Sequence, residues 1–388
     1  HGHIIDLIDK KANRIFMPYV VYESKEDKNT PNSFNCPIVS GYSDVIKSSM
    51  PFLEKHNICI DAPTIAFNNE QLLTKACIKY LMTLGIEKSL VEKALPKALA
   101  AQRMYVSSLQ ENCQRIIEKN SVGNNMVIML VGRPYHADPL IQHKISDMIS
   151  AFGVDVISED FVRSEEHNTF DNVQTIMQWA YTNRILKAAE WVAKTNANVH
   201  LVQMTSFGCG PDAFIIDEVN EILKRHGKSH TILKIDDVNN IGSLRLRIRS
   251  LIESLRFASD KEVTITPLIK NKIFTEEDKH RTILVPFFSE YYSPFVPVLF
   301  KLAGYNFVTL PPSDVHSSEL GLKFANNEVC YPATLVIGDI IKALQTRKYN
   351  RDEIAIGITQ TGGQCRATNY LSLIKKAMVA AGYEDIPV

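Results

Sequence analysis

Asn326-Asn327-Glu328-Val329-Cys330-Tyr331-Pro332-Ala333 and Gln360-Thr361-Gly362-Gly363-Gln364-Cys365-Arg366-Ala367 are the stretches on which the reading of this chain turns. Each places a cysteine where a buried strand ends and a helix is about to begin. Residues 335–344 read as a helix, 354–359 as a short buried strand and 371–381 as the next helix, so Cys330 and Cys365 flank one helix-strand unit. In an open parallel sheet, ligands bind outside the carboxyl ends of the strands, where loops converge and helix N-termini offer N–H groups. Two earlier cysteines follow the same grammar. Residues 200–205 form an apolar run, Ser206-Phe207-Gly208-Cys209-Gly210-Pro211 a tight turn, and 212–225 an amphipathic helix. Residues 14–21 read as a strand, and after a polar loop Asn35-Cys36-Pro37 enters a further short helix, with Pro37 tolerated in a first turn.

The other three cysteines look different. Cys59 lies within Ile58-Cys59-Ile60, and Cys77 and Cys113 fall inside helical patterns, so all three read as small core hydrophobes. Seven cysteines at wide, irregular spacing in 388 residues do not make a disulfide framework, and they favour reduced thiols and metal ligation. Forty-three basic residues balance forty-three acidic ones, which points to no nucleic-acid or anionic-membrane partner. No apolar run has the length to span a bilayer and no secretory signal is visible, so a cytoplasmic protein is expected. The chain opens on His1-Gly2-His3-Ile4 and stops at Asp385-Ile386-Pro387-Val388 as a strand starts, so it reads as a piece of something longer.

Taken in order, strands alternate with helices in the manner of parallel α/β layers. The expected fold class is α/β, with several Rossmann-like three-layer units of mainly parallel sheets plus a helical insert. The divisions are 1–68, the insert 69–122, 123–270 and 271–388, the first and last units being incomplete at their outer ends. In the insert Leu72, Leu73, Ala76 and Tyr80 are spaced for one apolar helix face. The later units contain strands 126–131, 154–157, 231–235, 282–286 and 306–310, with helices 140–152, 176–195, 244–257 and 295–303. An internal repeat relates Val336-Ile337-Gly338-Asp339-Ile340-Ile341 to His1-Gly2-His3-Ile4-Ile5, each followed by a strand and a turn cysteine, Cys365 and Cys36.

Five motifs carry a family resemblance: NCPIVSGY (35–42), GRPYHADP (132–139), SFGCGPDAF (206–214), NNEVCYPA (326–333) and TGGQCRATNY (361–370). Across almost its whole length the chain resembles the C-terminal portion of large activase-related proteins of the 2-hydroxyacyl-CoA dehydratase system. More distantly it resembles dehydratase subunits and double-cubane cluster proteins, which hold iron-sulfur clusters between Rossmann-like domains. The resemblance implies that Cys36, Cys209, Cys330 and Cys365 are metal ligands of a 4Fe-4S cluster or double cubane. It implies an ATPase activase domain or protein as partner, ATP being handled there and not in this chain. It also implies transfer of electrons to a CoA-ester dehydratase or a small substrate. Ligands would come from one chain, or from two across a homodimer. Gln364 departs from the pattern, which has a third glycine there.

Arg133, His136 and Asp138 sit at a strand end where a phosphate or CoA group would bind, although a turn with a proline and an aspartate cap has the same look. Arg245, Arg247 and Arg249 read as a solvated helix face or a dock for an acidic partner or CoA phosphates. No phosphate loop with Lys and Ser or Thr is present, and Gly208-Cys209-Gly210 lacks the third glycine of a dinucleotide fingerprint. Beside the cluster-bearing component stand two other readings, a zinc-stabilised scaffold joining activase to partner and a CoA-ester-binding module without metal.

Overall fold

The computed structural model describes residues 1–55, 58–163, 170, 173–206, 208–235, 241–257 and 265–388. The chain divides into two compact units, His1–Phe170 with Met177–Met204 and Thr231–Ala258, and Asp171–Ile176 with Thr205–His230 and Ser259–Val388. Every strand pair with a described register is parallel, and the architecture is the α/β, Rossmann-like class expected from the sequence.

In the first unit β1 (Arg14–Phe16), β2 (Tyr19–Tyr22), β3 (Cys59–Asp61) and β4 (Thr64–Ala66) form two pairs, β1 with β3 and β2 with β4. The single strand expected over 14–21 is therefore two. Pro18 has no N–H to give the ladder, and Pro63 interrupts the partner at the same level. The Met17 N–H to Asp61 O (2.8 Å) and Tyr19 N–H to Pro63 O (3.0 Å) bonds carry the pairing past the break. The strand expected near 57–60 begins at Cys59; Asn57 lies outside the described residues. The helical insert is present as Glu70–Thr83 and Lys88–Ser121. Leu73 is buried, Ala76 and Tyr80 are half-buried and Leu72 is exposed, so the inward face is narrower than its spacing suggested.

The main sheet of this unit contains β5 (Val127–Val131), β6 (Asp155–Ser158), β7 (Val199–Ser206) and β8 (Thr231–Ile235) in the order β6-β5-β7-β8. All five residues of β5 are buried, as the uninterrupted apolar run requires of a strand covered on both faces. Ile128 and Leu130 pack with Ile145, Ile149, Ile248 and Ile252 on one face. The strand order reverses beside β5, whose neighbours are β6 on one side and β7 on the other, and this places a crevice at their carboxyl ends. The helix expected over 140–152 shrinks to Ile145–Ser150, because His143 (φ 53°) and Lys144 (φ 57°) are left-handed. The helix expected over 176–195 is Ala180–Lys194.

In the second unit β9 (Thr282–Val285), β10 (Asn306–Thr309) and β11 (Ile354–Ile356) run in the order β10-β9-β11. Leu284, Ile354 and Ile356 meet Ile337, Ile340, Ile341, Ile374 and Met378 of helices Tyr331–Gln345 and Tyr370–Ala380. Ile283, Val285 and Ala355 face the other way, towards Phe274, Val296 and Phe307. The strand expected over 354–359 stops at Ile356, although the Gly357 N–H still donates to Leu284 O at 2.9 Å. The chain end lies alongside it, with the Ile356 N–H donating to Pro387 O at 2.8 Å. The helix expected over 212–225 is two, Gly210–Ala213 and Ile216–Arg225. Helix Val315–Phe324 was not foreseen; Asp314 starts it by accepting the Ser317 N–H at 2.9 Å.

Candidate functional site

All four cysteines singled out by their turns are helix N-cap residues with extended backbone. Cys36 (φ −68°, ψ 155°) precedes Pro37–Ser49, Cys209 (−65°, 102°) precedes Gly210–Ala213, Cys330 (−65°, 139°) precedes Tyr331–Gln345, and Cys365 (−67°, 140°) precedes the turn Arg366–Asn369. Pro37, Pro211 and Pro332 occupy first turns, where the absent N–H costs nothing and the fixed φ suits the helix. None of the four side chains caps its helix by a hydrogen bond. Cys36 belongs to the first unit, and its turn is held by Asn35, whose Nδ2 donates to Val20 O (3.1 Å) and Glu23 Oε1 (2.9 Å).

The other three cysteines belong to the second unit, and specific contacts tie their turns together. Cys330 Sγ and the Tyr370 hydroxyl share a hydrogen bond of 3.0 Å. The Tyr370 ring stacks on Phe214, 6.4 Å between centroids and 7° from parallel, at the end of the short helix that Cys209 opens. Asn326, at the start of the Cys330 turn, donates through Nδ2 to Ala213 O (2.9 Å) and Asp217 Oδ2 (2.6 Å). Arg366, next to Cys365, lies so close on Gly210 that a Cβ there would stand 2.6 Å from its Cδ. Within the Cys365 loop, Gln360 Nε2 donates to Thr368 O (3.1 Å) and the Thr361 and Thr368 hydroxyls bond at 3.1 Å. Burial pushes the Tyr370 phenol up, and the Cys330 and Cys365 sulfurs push the same way. The phenol therefore keeps its proton and is able to donate it in a hydrogen bond to sulfur.

These thiols fit an iron-sulfur cluster in kind. They are soft donors on turns rich in backbone N–H groups. Gly362 and Gly363 have open space around them, and the buried Asn369 Nδ2 has no hydrogen-bond partner among the described residues. Among the described residues no group of three or more His, Cys, Asp or Glu side chains is placed to hold a metal ion. Of the remaining cysteines, Cys113 is buried as expected, whereas Cys77 is half-buried and Cys59 exposed, its Sγ donating to Asp61 Oδ1 at 3.1 Å. Cys59 is thus no core residue: Ile60 packs against the cluster of Ile4, Ile15 and Ile46, and alternation turns Cys59 to the opposite face of β3. Asp61 pushes the Cys59 thiol up and burial does the same for Cys77 and Cys113, which keeps all three protonated and poor as ligands.

In the first unit the crevice beside β5 is a cleft of about 640 Å³. Arg133 and His136 line it and are 6% and 0% exposed. His136 Nδ1 accepts the Arg133 N–H at 3.0 Å, and Gly132 has to be glycine because a Cβ there would meet that nitrogen at 2.6 Å. Asp138 goes elsewhere. Its Oδ1 accepts the Leu140 (2.8 Å) and Ile141 (3.2 Å) N–H groups, so it shapes the following turn. Sequence reasoning missed Glu159, Tyr181 and Arg184, which line the same cleft. Burial pushes the Glu159 carboxyl from 4.5 up to about 7, Arg184 opposing and Asp160 reinforcing the shift. Between those two pH values the folded protein holds a proton that the unfolded chain has released, so stability falls as pH rises through the window. Glu159→Gln should remove that slope, and its advantage over wild type should grow by roughly 2–3 kcal/mol from pH 4.5 to 8 in urea denaturation.

No helix among the described residues is long and apolar enough to cross a membrane. No curated protein and no solved structure matches the chain. Residues 1–162 match the family model described as CoA enzyme activase uncharacterised domain (DUF2229), a segment that contains Cys36, Arg133 and His136. Over those residues the chain is similar to the activase-related family that its motifs resemble.

Proposed function

We propose that this chain is the iron-sulfur-cluster-bearing part of an ATP-dependent, low-potential electron-transfer system of the activase-related kind. The carrying observation is that Cys209, Cys330 and Cys365 all stand at N-caps on turns that Phe214, Asn326, Arg366 and Tyr370 tie together. Cys36, the fourth proposed ligand, has the same N-cap geometry. When bound, a 4Fe-4S cluster or double cubane supplies one-electron transfer at a potential set by hydrogen bonds to its sulfurs. The chain's own part is to present thiolates, to aim the Tyr370 hydroxyl at the Cys330 sulfur and to surround the site with turn N–H groups. ATP would be used by an activase domain or protein, and a CoA-ester dehydratase or a small substrate would receive the electrons. A zinc scaffold held by the same thiols is the second reading.

Anaerobic purification followed by reconstitution with ferrous iron and sulfide tests this. The expected result is visible charge-transfer absorption and a low-temperature EPR signal on reduction. A colourless protein without iron contradicts it, and about one zinc per chain with no iron supports the scaffold instead.

A further inference from the structure

Helix Phe295–Leu302 of the second unit carries seven apolar residues and a single charge, Lys301, yet none of its eight residues is buried. Val296 and Phe300 face the sheet, Val296 against Ile283, Val285 and Ala355, and the Phe300 ring stacked on Phe307 with centroids 3.9 Å apart. The outward side is apolar as well. Tyr292, Phe295, Leu299 and Leu302 recur at three- and four-residue steps, with Tyr291 and Val298 beside them, and these six are 57–87% exposed. A helix apolar on every side belongs in an interior, and a stripe at this spacing is the seam of a helix pair.

We propose that this face pairs with the same face of a second copy of the chain, the two helices lying antiparallel about a twofold axis. Two observations favour a copy over any other occupant. Area is the first: the six side chains offer roughly 800 Å², which is what one partner brings to a standard-size interface. Charge is the second. Glu290 stands exposed just before the helix and Lys301 exposed at its far end, and neither has an ion-pair partner among the described residues. An antiparallel pair sets the start of one helix beside the end of the other, so Glu290 of each copy meets Lys301 of the other. Parallel helices would set like charges together instead. The axis then falls between Phe295 and Val298, at the middle of the stripe, as a self-complementary twofold contact requires. The inference concerns assembly and stands whether or not the cysteines bind iron.

Sedimentation equilibrium of the purified chain tests it. Wild type should be a dimer at about 10 µM, since interfaces of this size bind at micromolar strength or better. Leu299→Glu puts a charge into the seam and should raise the dissociation constant about a hundredfold or more, and Leu302→Glu probes the same face independently. Glu290→Lys or Lys301→Glu alone should weaken the dimer about tenfold by opposing like charges, and combining the two should restore it. All four side chains are exposed in a single copy, and circular dichroism identifies variants that fold. Wild type that stays monomeric at about 100 µM overturns the inference, whether the face then takes lipid vesicles or another protein. So does a dimer that folded Leu299→Glu and Leu302→Glu both leave intact, or a double charge variant no tighter than the single ones.

Discussion

Gly338→Ala should lower the stability of the second unit by about 3 kcal/mol or more, the upper end of what overpacking costs. A Cβ at Gly338 would stand 1.7 Å from the carbonyl oxygen of Ser317, and one at Gly321 1.9 Å from that of Thr334. Both obstacles are backbone, so no side-chain rotamer relieves them and helices Val315–Phe324 and Tyr331–Gln345 must move apart. Separation would open the cluster of Ile337, Ile340 and Ile341 and shift the helix whose first residue follows Cys330. The double variant with Gly321→Ala should cost less than the sum, because both methyls push on one crossing. Gly362→Ala and Gly363→Ala are the controls, having nothing within 4 Å of the added atom. Thermal melts that place Gly338→Ala with those controls would contradict this account of the crossing.

Lys376→Met should cost about 3–5 kcal/mol, the loss expected when one partner of a buried ion pair is removed. Glu218 is 1% exposed and accepts from Lys376 Nζ (2.6 Å), Thr175 Oγ1 (2.6 Å) and the Gln174 N–H (2.8 Å). Burial works against its charge, yet Lys376 and the Thr175 and Gln174 donors together hold the carboxyl below its ordinary 4.5. That depression stabilises the fold above pH 4.5, and the contribution is lost as pH falls through the lower folded value. Without Lys376 the burial effect dominates and the sign reverses. The variant's deficit against wild type in urea denaturation should therefore widen from pH 4 to pH 8. Adding Glu218→Gln should recover part of the loss, because no buried charge then lacks its partner. A deficit independent of pH would mean that the pair is not what holds helix Tyr370–Ala380 in place.

Apolar runs made the strands of the larger sheet legible. Met126 to Val131 is unbroken by polar residues, and a strand covered on both faces is the structure that accommodates it. The turn cysteines were legible for a local reason too, since a proline one or two residues after Cys36, Cys209 and Cys330 marks a first helical turn. Other boundaries depended on signals that a hydrophobic pattern ignores. Pro18 split a strand, His143 and Lys144 ended a helix before it formed, and Asp314 with Ser317 opened one that went unread. Glu159 and Arg184 were invisible because their importance comes from burial, and nothing local distinguishes them from carboxylates and guanidiniums in solvent. Cys59 was misread because its apolar neighbours suggested a core strand, whereas alternation puts it opposite Ile60, the residue of β3 that packs on the core.

Iron counted per chain after anaerobic reconstitution, in seven single Cys→Ala variants, addresses the N-cap thiols most directly. Substitution at Cys36, Cys209, Cys330 or Cys365 should each lower the count, while Cys59, Cys77 and Cys113 variants should load as wild type does. Loss spread evenly over all seven, or confined to the latter three, would contradict the assignment of the metal to the helix mouths.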